Sequence, residues 1–148
     1  MKIISHRGNI EGPNSSTENF PDQINDCINR GYDVEIDLRI IDNIFYLGHD
    51  TPDHIVEFEW LLKNKNRLWI HCKNLESLRC LSDFDLNFFW HQSDDYTLTS
   101  KGYVWTYPGK DLISKSVIVM PEKTSFDFLR LKEYDVYGVC TDYPTRIL

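Results

Sequence analysis

Long apolar runs are missing from this sequence. Its 148 residues contain no stretch near the roughly 20 apolar residues that a membrane-spanning helix needs. The segment before the first histidine, residues 1–5, is also too short to contain the apolar core of a signal peptide. We therefore expect no membrane span and a cytoplasmic location.

Positive charge is scarce as well. The chain has 16 lysine and arginine residues against 23 acidic residues, which gives a formal net charge of -7. We do not expect a chain of this charge to bind nucleic acid or an anionic membrane surface nonspecifically. A ligand that bears phosphate would therefore need a local group of cationic side chains or a bound metal ion.

Cysteine motifs are also absent. The four cysteines are far apart, and none forms a Cys-x-x-Cys pair or the cysteine–histidine spacing of a zinc site. They are Cys27, Cys72, Cys80 and Cys140. We interpret them as reduced, partly buried thiols, so neither a disulfide framework nor a structural zinc site is expected.

The chain does contain enough apolar material for a core. Apolar residues make up 41% of it and aromatic residues 14%, so residues 1–148 are expected to form one domain. Apolar and alternating runs predict β-strands at 2–5, 32–41, 44–47, 68–73, 88–91, 103–107, 116–120 and 137–141. Helical spacing predicts helices at 18–29, 56–65, 75–81 and 125–133. Such alternation is typical of an α/β protein with a parallel sheet, open or closed.

Two carboxylates occupy the second predicted strand. Glu35 and Asp37 are two residues apart, so their side chains share one face of the strand. Interior positions of a covered parallel sheet are normally apolar, and two carboxylates buried there would need a cation. Their oxygen atoms suit Mg²⁺, Ca²⁺ or Mn²⁺. The alternative is a solvent-facing strand edge at which the two residues bind nothing.

Two histidines follow β-type runs. His6 ends the first run, and a predicted hairpin turn at Asp42 and Asn43, which both tolerate positive φ, leads to His49. Active-site residues of parallel α/β proteins lie at such strand ends. Imidazole titrates near neutrality, so two histidines can divide the acid and base tasks of phosphodiester cleavage. Taken singly, each is more often a structural hydrogen-bonding group.

Five short motifs follow one another along the chain. They are His6-Arg7-Gly8, Glu18-Asn19, Glu35-x-Asp37, Gly48-His49-Asp50 and the run at 138–144. In this order they resemble the glycerophosphodiester phosphodiesterase family, a branch of the phospholipase C-like phosphodiesterases, and the similarity is densest over residues 3–50. The resemblance implies a TIM-type barrel and metal-dependent hydrolysis of a glycerophosphodiester.

For the reaction centre, the resemblance implies His6 and His49 as acid and base, with Glu35 and Asp37 as metal ligands. The family usually has a third carboxylate ligand where this chain has His71. His71 could ligate a softer metal through its imidazole, leave water in that coordination position, or mark lost activity. We favour a functional variant in which His71 is the third ligand of a divalent ion, Mg²⁺ or Ca²⁺ before Mn²⁺.

The resemblance also assigns substrate-binding and supporting residues. Phosphate oxygens would contact Arg7 and Lys73, and Trp105 would line the substrate cavity. Glu18 would orient the neighbouring arginine. The resemblance gives Asp50 no role, although its position next to His49 could let it orient that histidine. Without the resemblance, Arg7 would be interpreted as part of a surface ion pair, Lys73 as a solvated strand end and Trp105 as a core aromatic.

The length of the chain limits the fold. A TIM barrel typically takes about 250 residues, so 148 residues cannot supply eight full strand–helix units. Helices are scarce after Ser93, which predicts a reduced TIM-type (β/α) barrel of seven or eight strands that lacks several crossover helices in its second half. Barrel closure would bring Asp142 near His6, whereas an open sheet, the alternative, would separate them. The exposed outer face of the later strands would favour a homodimer.

Three functions follow from this sequence as expectations. The leading one is hydrolysis of a small phosphodiester by two-histidine acid/base catalysis. A second is a non-catalytic domain that binds a phosphate ligand and has lost turnover. A third is a lyase-type phospholipase that forms a cyclic phosphate, although no apolar membrane-docking segment stands out.

Overall fold

The computed structural model describes residues 1–147, so Leu148, the last residue of the predicted domain, lies outside the described residues. The strands of the described part are β1 (Lys2–His6), β2 (Asp33–Ile41), β3 (Ile44–Leu47), β4 (His54–Val56), β5 (Leu68–Cys72), β6 (Phe88–Phe89), β7 (Tyr96–Leu98), β8 (Val104–Thr106), β9 (Ser116–Val119) and β10 (Gly138–Thr141). Its α-helices are α1 (Pro21–Asn29), α2 (Phe58–Lys63) and α3 (Leu75–Leu81). The longest helix has nine residues, and none within residues 1–147 could span a bilayer.

Seven strands form a continuous parallel sheet in the order β6-β5-β2-β1-β10-β9-β8, and β7 pairs with β8 in the antiparallel sense. β3 and β4 extend the far end of β2 as an antiparallel arm. The sheet curls until Phe89 of β6 lies 4.7 Å from Trp105 of β8, measured between ring centroids. The chain is a mixed α/β protein with a curled sheet and few helices, and it is not a complete TIM barrel.

Alternation along β2 separates the two faces of the sheet. Val34, Ile36 and Leu38 belong to the outer core, where the sheet packs against the helices. Glu35 and Asp37 take the intervening positions, so they point to the inner, concave face. An apolar cluster on the same face contains Ile4, Trp69, Phe89, Trp105, Val117 and Cys140. The carboxylates therefore lie beside apolar side chains, with His6 and His71 level with them on the neighbouring strands.

The backbone geometry confirms one predicted turn and differs from the prediction at the start of the first helix. Asp42 and Asn43 have φ angles of 50° and 63°, which confirms the predicted hairpin turn between β2 and β3. The first helix begins later than predicted, at Pro21, because Asn19 has a φ of 58° and cannot belong to a right-handed helix. The residues before Pro21 form a loop that reaches the concave face of the sheet.

The last predicted helix, at 125–133, is wrong. Phe128–Glu133 forms 3-10 turns instead, with a hydrogen bond from the Arg130 N–H to the carbonyl oxygen of Asp127. Leu131 is the buried residue of this segment. The burial of so few side chains does not offset the unfavourable free energy of nucleating an α-helix.

The outer face of the later strands is covered by the chain itself. Ile118 of β9 and Val139 of β10 pack with Leu131 and Ile147, and all four side chains are buried. The predicted uncovered face is therefore wrong for β9 and β10. The 3-10 segment does the covering that a crossover helix does in a full barrel.

Candidate active site

The carboxyl ends of the parallel strands surround a cavity of about 640 Å³. Most of the site residues predicted from the sequence line it, namely His6, Arg7, Glu35, His49, His71, Lys73 and Trp105. The others lie directly beside it, in contact with a lining residue, and are Glu18, Asp37 and Asp50. The sheet thus brings residues from distant parts of the sequence to one place.

The strand register places the central groups. β1 pairs with β2 so that His6 lies level with Glu35, and β5 pairs with β2 so that His71 lies level with Asp37. Glu35 is 2% exposed and Asp37 is 0% exposed. His71 Nδ1 lies 3.2 Å from Asp37 Oδ1 and 3.8 Å from Glu35 Oε1. Two carboxylates and one imidazole therefore converge at a buried point.

The oxygen atoms of this pair are incompletely satisfied. Within residues 1–147, neither Glu35 Oε2 nor Asp37 Oδ1 accepts a hydrogen bond. A buried polar atom without a partner costs about 1–3 kcal/mol, and more when it is charged. Burial and the neighbouring Asp37 raise the pKa of Glu35. Burial also opposes ionisation of Asp37, but His71 and Arg7 outweigh it and lower the pKa of Asp37. The unpartnered oxygen atoms of Glu35 and Asp37, next to the ionised Asp37 carboxylate, are suitable ligands for a cation.

Asn19 holds the second oxygen of Asp37, a role that the sequence did not predict. The Asn19 amide donates to Asp37 Oδ2 at 2.9 Å, and its side-chain oxygen accepts from the Asp37 backbone N–H at 2.9 Å. The backbone N–H of Asn19 donates in turn to the carbonyl oxygen of Arg7. The Glu18-Asn19 motif was the signal for this contact, because it lies in the loop that packs over the strand.

His6 is oriented by a buried carboxylate. Its Nδ1 lies 2.7 Å from Asp142 Oδ1, which also accepts a hydrogen bond from the Asn9 amide at 2.8 Å. Its Nε2 points to the cavity, 3.9 Å from Glu35 Oε2. Burial lowers the pKa of His6, but the hydrogen bond to Asp142 and the charge of Glu35 outweigh it, so that the pKa is raised overall. Pairing of β10 with β1 brings Asp142 here, although the sheet does not form a complete barrel.

Two permanent cations approach the same carboxylates. Arg7 lies between Asp37 and Glu18, with Nε 3.0 Å from Asp37 Oδ2 and Nη1 donating to Glu18 Oε2 at 3.3 Å. The other oxygen of Glu18 accepts from the Asn9 amide at 2.9 Å. Lys73 Nζ lies 3.7 Å from Asp37 Oδ1. Glu18 contacts Arg7 as predicted, and both cations border the cavity that a phosphate group would enter.

His49 occupies the rim of the cavity. Its Nδ1 lies 2.8 Å from Asp50 Oδ1, and partial burial lowers the pKa of His49. The loop around it is clamped by Arg39, whose Nη2 donates to the His49 carbonyl oxygen at 2.7 Å. Gly48 has a φ of 150°, and a Cβ atom there would lie 2.0 Å from the carbonyl oxygen of Thr51. The turn into His49 therefore requires glycine.

Aromatic and apolar groups form the remaining wall. Trp105 is buried and contacts Phe89, so it serves both as a core aromatic and as a lining residue. Sequence reasoning missed several other lining residues, which come from loops after β6, β8 and β9: His91, Tyr107, Met120 and Lys123. No short motif marks them, because only the curl of the sheet brings these loops opposite His6.

Comparison with protein-family models, with curated proteins and with solved structures finds no match for this chain. The similarity to glycerophosphodiester phosphodiesterases therefore rests on the short motifs quoted above. The distances and burial in the cavity do not depend on that similarity. They show which side chains lie together, and the chemistry of those side chains limits what the cavity can bind.

The contact between His6 and Asp142 yields a prediction. Replacing Asp142 by asparagine removes a carboxylate that favours the imidazolium form, so the pKa of His6 should fall. A titration of the histidine side-chain NMR signals against pH measures this change. Asp94→Asn is the matched control, because Asp94 pairs with His91 and should leave the His6 titration unchanged. A His6 pKa that is the same in Asp142→Asn and in the native protein would contradict the assigned contact.

Proposed function

We propose that this protein is a metal-dependent phosphodiesterase that hydrolyses a small, glycerophosphodiester-like substrate. One observation carries the proposal: His6 and His49 share a single cavity with Arg7 and Lys73, beside two buried carboxylates with unpartnered oxygen atoms. Phosphodiester hydrolysis needs an acid, a base and positive charge around the phosphate. This cavity offers each of them.

The charge of the site supports a bound divalent cation. One network of ion pairs, none longer than 3.9 Å, contains four carboxylates, from Glu18, Glu35, Asp37 and Asp142, and two permanent cations, from Arg7 and Lys73. Negative charge is therefore in excess unless Glu35 or the histidines of the network take up protons. Glu35, Asp37 and His71 offer ligand atoms that all lie within 4.8 Å of one another. Carboxylate oxygens suit Mg²⁺, Ca²⁺ or Mn²⁺.

A divalent ion bound there would withdraw charge from the phosphate oxygens. The protein's own side chains bind the phosphate group and transfer the protons. Arg7 and Lys73 border the cavity and hold the phosphate oxygens that point towards them. His6 keeps its Nδ1 against Asp142, which leaves Nε2 to exchange a proton with the reacting oxygen.

His49 supplies the second proton-transfer group. It lies on the rim, more exposed than His6, and its lowered pKa suits a group that accepts a proton near neutral pH. One histidine removes the proton of the nucleophile, and the other returns a proton to the departing alcohol. The nucleophile is water in the hydrolase reading and a hydroxyl of the substrate in the cyclising, lyase reading.

We further infer that the curled sheet serves as a reduced barrel framework for this chemistry. The backbone N–H of Ser100, just after β7, donates to the carbonyl oxygen of Phe88 in β6 at 2.8 Å. The Thr97 hydroxyl of β7 donates to the carbonyl oxygen of Trp90, just after β6. These bonds tie β7 to the opposite edge of the parallel sheet, and protection of the Ser100 amide from hydrogen exchange would test them.

The deciding experiment is an assay of the purified protein on bis(p-nitrophenyl) phosphate and on glycerophosphocholine, with Mg²⁺, Ca²⁺, Mn²⁺ or a chelator. We expect turnover with a divalent ion and its loss on chelation. Phosphorus NMR of the products separates a cyclic phosphate from a hydrolysed monoester. No turnover with any ion would contradict the enzyme and favour the domain that only binds a phosphate ligand.

Histidine variants complete this assay. His6→Ala and His49→Ala should each lower the rate by about 100- to 10,000-fold, the usual contribution of one acid/base group. His54→Ala is the matched control, since His54 packs against Phe20 and does not line the cavity. Full activity in the double variant of His6 and His49 would refute the assigned mechanism.

A homodimer is a separate proposal. It rests on the exposed side chains around β7 and no longer on the outer face of all the later strands. Large apolar side chains remain exposed around β7, with Trp90 at 37%, Tyr96 at 44% and Leu98 at 68% exposure. A second copy would cover them. Sedimentation equilibrium at micromolar concentration should then give twice the 17.5 kDa of the chain. A strictly monomeric mass, or a dimer that survives Leu98→Lys unchanged, would contradict this surface.

A further inference from the structure

His71 is the one nitrogen donor among the three groups that would hold the cation. Its Nε2 lies 3.0 Å from the backbone carbonyl oxygen of His91. A carbonyl oxygen only accepts hydrogen bonds, so Nε2 carries a hydrogen atom. The other nitrogen, Nδ1, is then the ring atom that can bind a metal ion. A hydrogen bond of this kind is what fixes the tautomer of metal-binding histidines in proteins.

The plane of the His71 ring is fixed as well. The ring stacks on Phe89, with 5.2 Å between centroids and 10° between the planes. Its side chain is largely buried, and its backbone belongs to β5, which pairs with β2 on one side and β6 on the other. A flip of the ring would break the bond to His91. The lone pair of Nδ1 is therefore aimed in one direction.

Nδ1 lies beside the carboxylates. It is 3.2 Å from Asp37 Oδ1 and 3.8 Å from Glu35 Oε1, but the contact with Asp37 does not have the geometry of a hydrogen bond. Asp37 Oδ1 and Glu35 Oε2 are buried and accept no hydrogen bond from the described residues. The ligand atoms of the three side chains lie within 4.8 Å of one another, close enough for one ion to contact all three.

We propose that Glu35, Asp37 and His71 form a mixed nitrogen–oxygen site that selects a first-row transition ion, with Mn²⁺ as the representative, over Mg²⁺ and Ca²⁺. The proposal deepens the metal site of the proposed function and rests on it. Mg²⁺ and Ca²⁺ prefer oxygen ligands, whereas imidazole suits transition ions. An imidazole nitrogen held beside the two carboxylates therefore favours the second group of ions. His91 contributes through its backbone as a positioning residue.

Electron spin-echo envelope modulation of the Mn²⁺-loaded protein tests this directly, because it detects nitrogen bound to manganese without any substrate. The native protein should show modulation from one imidazole nitrogen, and His71→Glu should lose it. His91→Ala is the matched control: its imidazole lines the same cavity, but its carbonyl oxygen is kept, so the modulation should persist. Absence of nitrogen modulation in the native protein would overturn the proposal even if the His71 variant failed to fold.

Titration calorimetry gives the selectivity. The ratio of Mn²⁺ to Mg²⁺ affinity should fall about tenfold or more in His71→Glu, the lower range for changes around a metal ligand. An unchanged ratio would overturn the proposal. The outcomes separate the two hypotheses, because nitrogen-bound Mn²⁺ without turnover contradicts only the phosphodiesterase. Turnover with equal use of Mg²⁺ and Mn²⁺ in both proteins contradicts only the selectivity.

Discussion

The burial of two carboxylates on one face of β2 is the constraint on which the rest of the site depends. Glu35 and Asp37 are buried on the inner face of the sheet, beside an apolar cluster. Such burial is expensive unless opposite charge surrounds the pair. Arg7, Lys73 and His71 each approach Asp37 within 3.7 Å, and two oxygen atoms still lack a partner. A bound cation would account for this excess of acceptors, and the proposed phosphodiesterase chemistry depends on it.

The strand register and one strained loop position the groups that surround the two buried carboxylates. Parallel pairing puts His6 and His71 level with the two carboxylates, and the final strand returns beside the first to supply Asp142. Arg7 and Asn19 both adopt left-handed backbone angles, with φ of 55° and 58°, and are joined by a backbone hydrogen bond. Left-handed conformations of such residues cluster at functional sites. Here the strain lets both side chains reach Asp37.

The sequence predicted the parts that depend on local pattern. Period-two alternation identified Glu35 and Asp37 as neighbours on one face, and the Asp42-Asn43 turn followed from tolerance of positive φ. The strands β4 and β7 escaped prediction because each is a short strand that pairs with a single antiparallel neighbour, a contact that local pattern does not reveal. The contact of His71 with the carbonyl oxygen of His91 could not be predicted, since it depends on how far the sheet curls. The same holds for the Arg39 clamp on the His49 loop, which the antiparallel register of β3 creates.

The central claim is that Glu35, Asp37 and His71 together hold one divalent ion. Crystals grown with Mn²⁺ test it most directly, through an anomalous difference map recorded near the manganese absorption edge. We expect one strong peak in contact with all three side chains, at the inner end of the cavity. A map without a peak there, or with the ion bound only by exposed carboxylates elsewhere, would contradict the proposed metal site.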